Sequence, residues 1–97
     1  MKIGIKNEYA KDFITREAGE RLRNQISDQI NNGEEVVLDF KGLVVASTSF
    51  FDEGIAKLET ENSIKNAVQK LRFLNLHPRD QELLELLCRK RGMKIHL

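Results

Sequence analysis

The pattern of apolar and polar positions indicates four short β-strands. The odd-numbered residues of segment 1–6 are apolar, which predicts a strand with one covered face, and we expect it at a sheet edge. The run VVLDF, residues 36–40, begins with three apolar residues and predicts a central strand covered on both faces. LRFLNL, residues 71–76, predicts a third strand, and the alternation over 93–97 predicts a fourth.

Between the first two strands, apolar residues recur at helical spacing. From Ala18 to Ile30 an apolar residue occupies every fourth position. Thr15 can cap this helix by accepting a hydrogen bond from an amide of the first turn. Gly33 provides the left-handed residue with which many helices end, so we expect this helix to stop there.

Two further helices follow the second and third strands. One begins between Ser47 and Ser49 and carries an apolar stripe that starts at Phe51. Its end is open, since residues 59–70 fit either a loop or another helical turn. The other helix is predicted within residues 77–92, with a proline near its start and a basic cluster at the negative end of its dipole.

The resulting order of elements is β-α-β-α-β-α-β. It predicts an α/β fold in which residues 1–97 form a single domain, with a mainly parallel, mixed four-stranded sheet and about three helices. Ligand and partner sites in such sheets lie beyond the carboxyl ends of the strands. The stretch LVVASTSFFDEG, residues 43–54, follows the second strand directly and is therefore the first candidate for a site.

Composition narrows the classes of protein to consider. The 97 residues carry a net charge of +1, without the basic excess that a nucleic-acid partner requires. The single cysteine, Cys88, cannot form an internal disulfide, and no run of about 18 apolar residues could cross a bilayer. The first residues lack the apolar core of a signal peptide. We therefore expect a cytoplasmic protein that binds neither nucleic acid nor membranes.

Side chains that could carry out catalysis are scattered along the chain. His77 and His96 lie far in sequence from the hydroxyl residues of segment 43–54, and with one cysteine they give no metal-binding spacing. Asp52 and Glu53 are adjacent, so on a helix they point about 100° apart and make a poor acid and base pair. Neither glycine-rich phosphate-binding motif is present. We therefore expect no enzyme activity, no metal and no cofactor.

Three consecutive hydroxyl residues, Ser47, Thr48 and Ser49, are the main feature of this segment. A cap explains one of them, because Ser49 can accept a hydrogen bond from the first turn while Asp52 completes a variant of the capping box. The other two fit a turn that contacts a partner or is regulated by phosphorylation. A phosphate on Thr48 would add about −1.5 to −2 charges to a helix start that attracts anions, close to acids that repel it.

The neighbouring aromatic, glycine and arginine residues each have a specific interpretation. Phe51 belongs to the apolar stripe, whereas Phe50 either packs against the sheet or, if exposed, anchors a partner. Gly54 within a helix indicates close packing against another element. Arg16 lies at the positive end of the first helix, which indicates either a specific contact, such as a salt bridge with Glu20, or exposure to solvent.

The segment VVLDFKGLVVASTSFFDEGIAKL resembles the signature of STAS domains, a family named after sulfate transporters and anti-sigma factor antagonists. That signature is an apolar strand ending in aspartate, a short link with glycine, and a hydroxyl-containing turn that leads into a helix. A branch of STAS-like domains of unknown function is more similar still. Its motifs match, in chain order, Phe13, Arg16, Asp39, Phe40, Ser49, Phe50, Asp52 and Glu53. The resemblance runs from about Phe13 to the end and implies a STAS-like fold.

The resemblance also implies a mechanism. In the anti-sigma factor antagonists, an ATPase of the histidine-kinase type binds the domain and phosphorylates a hydroxyl at the start of this helix. Thr48 falls on the acceptor position and Ser49 on its neighbour. Ser47 stands where those proteins have an acid, and Phe50 where they have a glycine.

The combined prediction is a small regulatory domain that binds a protein partner, with phosphorylation by a histidine-kinase-like ATPase as its control. The candidate acceptors are Thr48, Ser49 and Ser47. The candidate partner contacts are Thr48, Phe50, Asp52, Glu53 and Arg16. One alternative is a domain that binds a small anion or nucleotide at the helix N-terminus of residues 47–50. Another is an assembly module that pairs strand 1–6 with a second copy, and we expect a monomer or a weak homodimer.

Overall fold

The computed structural model describes residues 1–9, 15–62, 64–93, 95 and 97. The strands are β1 (Lys2–Gly4), β2 (Val36–Asp39) and β3 (Leu71–Leu74). The α-helices are α1 (Ile5–Glu8), α2 (Arg16–Asn31), α3 (Thr48–Phe51), α4 (Leu58–Glu61) and α5 (Pro78–Lys90). A π-helix (Asp52–Ala56) lies between α3 and α4, and a 3-10 helix (Ala67–Lys70) precedes β3.

The three strands form one parallel sheet in the order β1-β2-β3, in which Leu38 lies between Ile3 and Phe73. The predictions that β2 is central and that β1 lies at an edge of this sheet are confirmed. Burial alternates along β2, where Leu38 is buried and Val37 and Asp39 are half-buried. Because alternate side chains point to opposite faces, one face is less covered, and the prediction of two fully covered faces is wrong.

The predicted fourth strand is absent from the described residues. Met93, Ile95 and Leu97 are outside the sheet, and residues 94 and 96 lie outside the described part of the chain. Gly92 has a left-handed φ of 73°, and the Met93 amide donates back to the carbonyl oxygen of Cys88 at 2.9 Å. This glycine-containing turn ends α5 and buries Met93. Met93 fits the alternating pattern of a strand, but it is buried without pairing in the sheet.

The described residues contain five α-helices, three of them single turns, where about three helices were predicted. α1 begins at Ile5, so part of segment 1–6 is helical. Ile5 is buried in this helix as it would be in a strand, which is why the apolar pattern did not distinguish helix from strand. Segment 59–70 holds the end of α4 and the 3-10 helix. None of the helices in the described ranges is both long enough and apolar enough to cross a membrane.

α2 packs closely across the π-helix at two glycines. Thr15 caps α2 as predicted, its Oγ1 accepting a hydrogen bond from the Ala18 amide at 3.1 Å. A β-carbon on Gly19 would lie 2.8 Å from the Phe50 carbonyl oxygen, and one on Gly54 would lie 3.2 Å from the Gly19 carbonyl oxygen. The close approach predicted at Gly54 is confirmed, and it brings the start of α2 beside the segment that follows the three hydroxyls.

Candidate functional site

The turn between β2 and α3 has a strained backbone that is held by a buried carboxylate. Ala46 has a left-handed φ of 48°, which costs a residue with a β-carbon on the order of 1–2 kcal/mol. Asp80, in the first turn of α5, is completely buried. Its Oδ1 accepts a hydrogen bond from the Ala46 amide at 2.9 Å, and its Oδ2 accepts one from the Val45 amide at 2.7 Å. The two bonds fix the path of the turn.

This turn, residues 44–48, presents alternate residues to solvent. Val44 is 46% exposed, Val45 is buried, and Ala46 is exposed. Thr48, the first residue of α3, is exposed as well. The 44–48 turn therefore offers an apolar side chain, a stretch of backbone and a hydroxyl on one continuous, fixed segment.

The helix cap is Ser47, so the prediction that Ser49 caps this helix is wrong. Ser47 has extended backbone angles, and its Oγ accepts a hydrogen bond from the Phe50 amide at 3.2 Å. Asp52, expected to complete the box, instead accepts two hydrogen bonds from the Arg91 guanidinium at 2.8 and 2.9 Å. The helix begins two residues earlier than that prediction required, and Ser49 lies within its first turn.

Phe50 and Phe51 are both completely buried. The Phe50 ring packs edge-on against Tyr9, with ring centroids 6.0 Å apart, and also makes an edge-type contact with Phe51, with centroids 6.1 Å apart. Of the two alternatives for Phe50, packing in the core is therefore the one observed. Its side chain is not on the surface of the 44–48 turn.

Glu53 is the centre of a charge cluster, and most of its members were not predicted from the sequence. Its carboxylate is buried and accepts hydrogen bonds from Lys57 at 2.6 Å, from Arg23 at 3.0 Å, and from Arg16. The Arg23 guanidinium also donates to the Glu53 carbonyl oxygen at 2.8 Å. Bonding from Lys57 above all, and then from the two arginines, lowers the pKa of Glu53 to about 2 against the opposing effect of burial.

Arg16 connects this cluster to the hydroxyls. The predicted specific contact and the predicted exposure of Arg16 are both observed, but the acid is Glu53 and not Glu20: the guanidinium binds Glu53, and the side chain is 56% exposed. Its second terminal nitrogen lies 3.4 Å from the Ser49 Oγ. Of the predicted site residues, the structure thus brings together Arg16, Ser49 and Glu53, with Thr48 on the adjoining surface. Phe13, the other residue of the arginine motif, lies outside the described residues.

The two adjacent acids Asp52 and Glu53 begin the π-helix and serve different neighbours. The Lys57 amide donates to the Asp52 carbonyl oxygen at 3.0 Å, five residues back, which widens the helix by one residue. Asp52 faces α5 and Arg91, while Glu53 faces α2. Single π-turns within helices occur frequently at functional sites.

Several residues of the site were missed in the sequence. Lys57 had a usable signal, because it follows Glu53 at the four-residue spacing of helical ion pairs. Arg23 and Arg91 had none, since their partners lie 30 and 39 residues away in the chain. Asp80 lies in the first turn of a helix, where an acid usually serves its own helix, so its contact with the 44–48 turn was not predictable.

His77 has a structural contact of its own. It precedes α5, and its Nδ1 accepts a hydrogen bond from the Arg79 amide at 3.1 Å, so it acts as the helix cap. His96 lies outside the described residues. Within the described ranges, no group of three or more histidine, cysteine, aspartate or glutamate residues is placed to hold a metal ion.

Comparison with known families bears on the same segment. A model of the family described as STAS-like domain of unknown function (DUF4325) matches residues 18–81. The chain belongs to this family. In this STAS-like domain, the matched region runs from the first turn of α2 into α5 and includes the 44–48 turn, Glu53 and Asp80, whereas Arg16 lies just before it. No curated protein and no solved structure matches the chain.

Proposed function

We propose that this STAS-like domain is a regulatory module that binds a protein partner through the 44–48 turn. The observation that carries the proposal is the buried Asp80 carboxylate, which holds Ala46 in a left-handed conformation. Burying a charge is costly unless hydrogen bonds compensate it, and left-handed alanine adds strain. A turn that only connected two elements could use glycine and would need no buried acid.

The fixed turn suits partner binding for a physical reason. A loop that is already ordered loses less conformational entropy when it binds. Val44 supplies exposed apolar area, and Thr48 supplies a hydroxyl at the start of a helix. A partner that docks on Val44 would therefore reach Thr48 without rearranging the domain.

We further propose that the partner is an ATPase of the histidine-kinase type and that Thr48 is the hydroxyl it phosphorylates. Thr48 is exposed, whereas Ser47 is engaged as the cap and Ser49 is half-buried beside Arg16. The acids that follow repel a phosphate less than their sequence suggests. Asp52 is paired with Arg91, and Glu53 is surrounded by three cations. In the transfer, the Thr48 oxygen bonds to the γ-phosphorus of ATP, ADP leaves with the electron pair of the broken bond, and the hydroxyl proton passes to water.

The polar groups of the site are engaged in contacts within the domain, which favours partner binding over catalysis and over anion binding. Asp80 holds backbone amides, and Asp52 and Glu53 are held in ion pairs. The Phe50 amide is bonded to Ser47, so an anion at residues 47–50 would find that donor occupied. The protein-binding role is accordingly the one that we propose.

Phosphorylation is tested by incubating the domain with a candidate ATPase of the histidine-kinase type and ATP, then locating phosphate by mass spectrometry. We expect phosphate on Thr48, its retention in Thr48→Ser and its loss in Thr48→Val. Phosphate on another residue, or equal labelling of Thr48→Val, would refute Thr48 as the acceptor.

Docking is tested with two apolar residues of equal exposure. Val44 is 46% exposed on the turn, and Leu86 is 45% exposed on α5. Calorimetric titration with the same ATPase should show at least about tenfold weaker binding for Val44→Asp, because a charge replaces an apolar contact. Leu86→Asp is the control and should bind as the parent does. Equal effects of the two substitutions would contradict docking on the turn.

A further inference from the structure

A cleft of about 350 Å³ lies at the carboxyl edge of the sheet, between β1 and β2. Its position follows from the register, because Gly4 at the end of β1 pairs with Asp39 at the end of β2. The residues that line it are Gly4, Lys6, Asn7, Asp39, Lys41 and Gly42. None of them belongs to the 44–48 turn or to the cluster around Glu53, so the proposed function leaves this cleft unexplained.

Two glycines keep the cleft open. A β-carbon on Gly42 would lie 3.5 Å from the Lys6 Nζ, and one on Gly4 would lie 3.7 Å from the Asn7 Nδ2. Side chains at these positions would fill the space beside the ammonium and the amide. Gly42 also has a left-handed φ of 75°, a conformation that residues with a β-carbon rarely adopt.

The acid in the cleft is fixed from three directions. The Asp39 Oδ1 accepts hydrogen bonds from the Asn75 side-chain amide at 2.9 Å and from the Lys41 backbone amide at 3.0 Å. The Lys2 Nζ lies 3.3 Å from its Oδ2. These contacts, with the bond from Asn75 first, lower the pKa of Asp39, so it remains a charged acceptor.

The charges in and beside the cleft favour an anion. Lys6 and Lys41 line it and Lys2 adjoins it, which gives three ammonium groups against the single carboxylate of Asp39 among these described residues. The resulting formal charge of +2 balances a phosphate monoester, which carries about −1.5 to −2 at neutral pH. A carboxylate that is already fixed can accept a hydrogen bond from a hydroxyl on the same ligand. The volume falls within the range of pockets that hold small molecules.

We infer that this cleft binds a small phosphorylated sugar compound, either a free sugar phosphate or a nucleoside monophosphate. Lys6 and Lys41 bind the phosphate, and Asp39 accepts a hydrogen bond from a sugar hydroxyl. The sequence offers residues 47–50 as one alternative for an anion site, whereas this concave, positively charged cleft lies at the ends of β1 and β2. This site does not depend on the proposed partner.

The test is a titration of the isotope-labelled protein with ribose 5-phosphate and with AMP, followed by two-dimensional NMR. We expect saturable shifts of the Gly4, Lys41 and Gly42 amides with a dissociation constant below about 1 mM, and the tighter of the two probes identifies the source of the phosphate. Ribose alone should leave these amides unshifted. Saturable binding of ribose, shifts centred on other residues, or no saturation by either phosphate compound would overturn the inference.

Paired variants separate the cleft from general charge. Lys6→Gln with Lys41→Gln should weaken binding at least about tenfold, since both phosphate contacts are lost. Lys65→Gln with Lys70→Gln removes the same charge at exposed positions outside the cleft and should leave the affinity unchanged. Equal weakening by both pairs would show bulk attraction and overturn the site. All four residues are exposed, and amide spectra confirm that each variant is folded.

Discussion

The Asp80 carboxylate accepts a hydrogen bond from the amide of Ala46, a residue 34 positions earlier in the chain. The bond joins the first turn of α5 to the strained residue of the 44–48 turn. The conformation of the candidate partner-binding surface therefore depends on a side chain that no partner could touch, because Asp80 is completely buried.

Asp80→Ala should lower the free energy of unfolding by about 2–4 kcal/mol, because the buried Val45 amide and the Ala46 amide lose their acceptor. Urea denaturation followed by circular dichroism measures the change. Glu82→Gln, at an exposed position on the same helix, serves as the control and should change stability by less than about 0.5 kcal/mol. An Asp80→Ala protein as stable as the parent would contradict the role assigned to this bond.

Ser47 and Ser49 should respond differently to the same substitution. Ser47→Ala removes the helix cap and should cost about 1 kcal/mol. Ser49→Ala removes only a 3.4 Å contact with Arg16 and should cost less. Thermal or urea denaturation of both variants makes the comparison. A larger loss of stability for Ser49→Ala would indicate that Ser49, and not Ser47, caps the helix.

The charge cluster predicts a specific dependence of stability on pH. Glu53 has its pKa lowered from 4.5 to about 2 by folding, so its stabilising contribution is present above pH 4.5 and disappears as the pH falls towards 2. Glu53→Gln should therefore be less stable than the parent at pH 6, by up to about 3 kcal/mol, with the difference shrinking as the pH falls. Denaturation curves at several pH values measure it.

Glu61→Gln is the control for that series, because Glu61 is an exposed acid in the following helix. At pH 6 its free energy of unfolding should differ from that of the parent by less than about 0.5 kcal/mol. A gap between parent and Glu53→Gln that stays constant down to pH 2 would mean that the ionised carboxylate is not what stabilises the cluster.

Gly19→Ala should be strongly destabilising because the added carbon would lie 2.8 Å from the Phe50 carbonyl oxygen and 2.9 Å from the Glu53 β-carbon. Neither neighbour is the end of a flexible side chain, so α2 must shift, at a cost of about 1–3 kcal/mol or more. Gly4→Ala meets its nearest atom at 3.7 Å and is the matched control. Chemical denaturation of the pair should show the larger loss at Gly19, and equal losses would contradict the close packing.

Local patterns predicted much of the fold. Thr15 caps α2 where its hydroxyl precedes an apolar stripe, and β2 is central where the apolar run is densest. These features depend on neighbours in sequence, so they can be read from it. Gly54 was also informative, because glycine is costly within a helix unless another chain segment approaches closely.

Features decided by distant residues were not predictable in the same way. Ser47, and not Ser49, caps α3, and it directly follows the turn residues that Asp80 holds in place from α5. Arg16 had Glu20 at helical spacing, but it binds Glu53, 37 residues away. Met93 fits the pattern of a strand and is buried by a turn instead. For Ser47 and Arg16, tertiary contacts overrode the local preference, whereas Met93 follows the local turn at Gly92.

The π-helix at Asp52–Ala56 makes the length of this segment a condition of the site. Deleting one residue there would restore a regular α-helix and rotate everything after it by about 100°. Asp52 and Glu53 could then no longer keep their partners Arg91 and Arg23 while Leu58, which follows the deletion, stays buried in the core. Insertions and deletions in this stretch should therefore be rare among proteins that keep these pairs, and a relative one residue shorter here should differ at Arg23, Arg91 or Leu58.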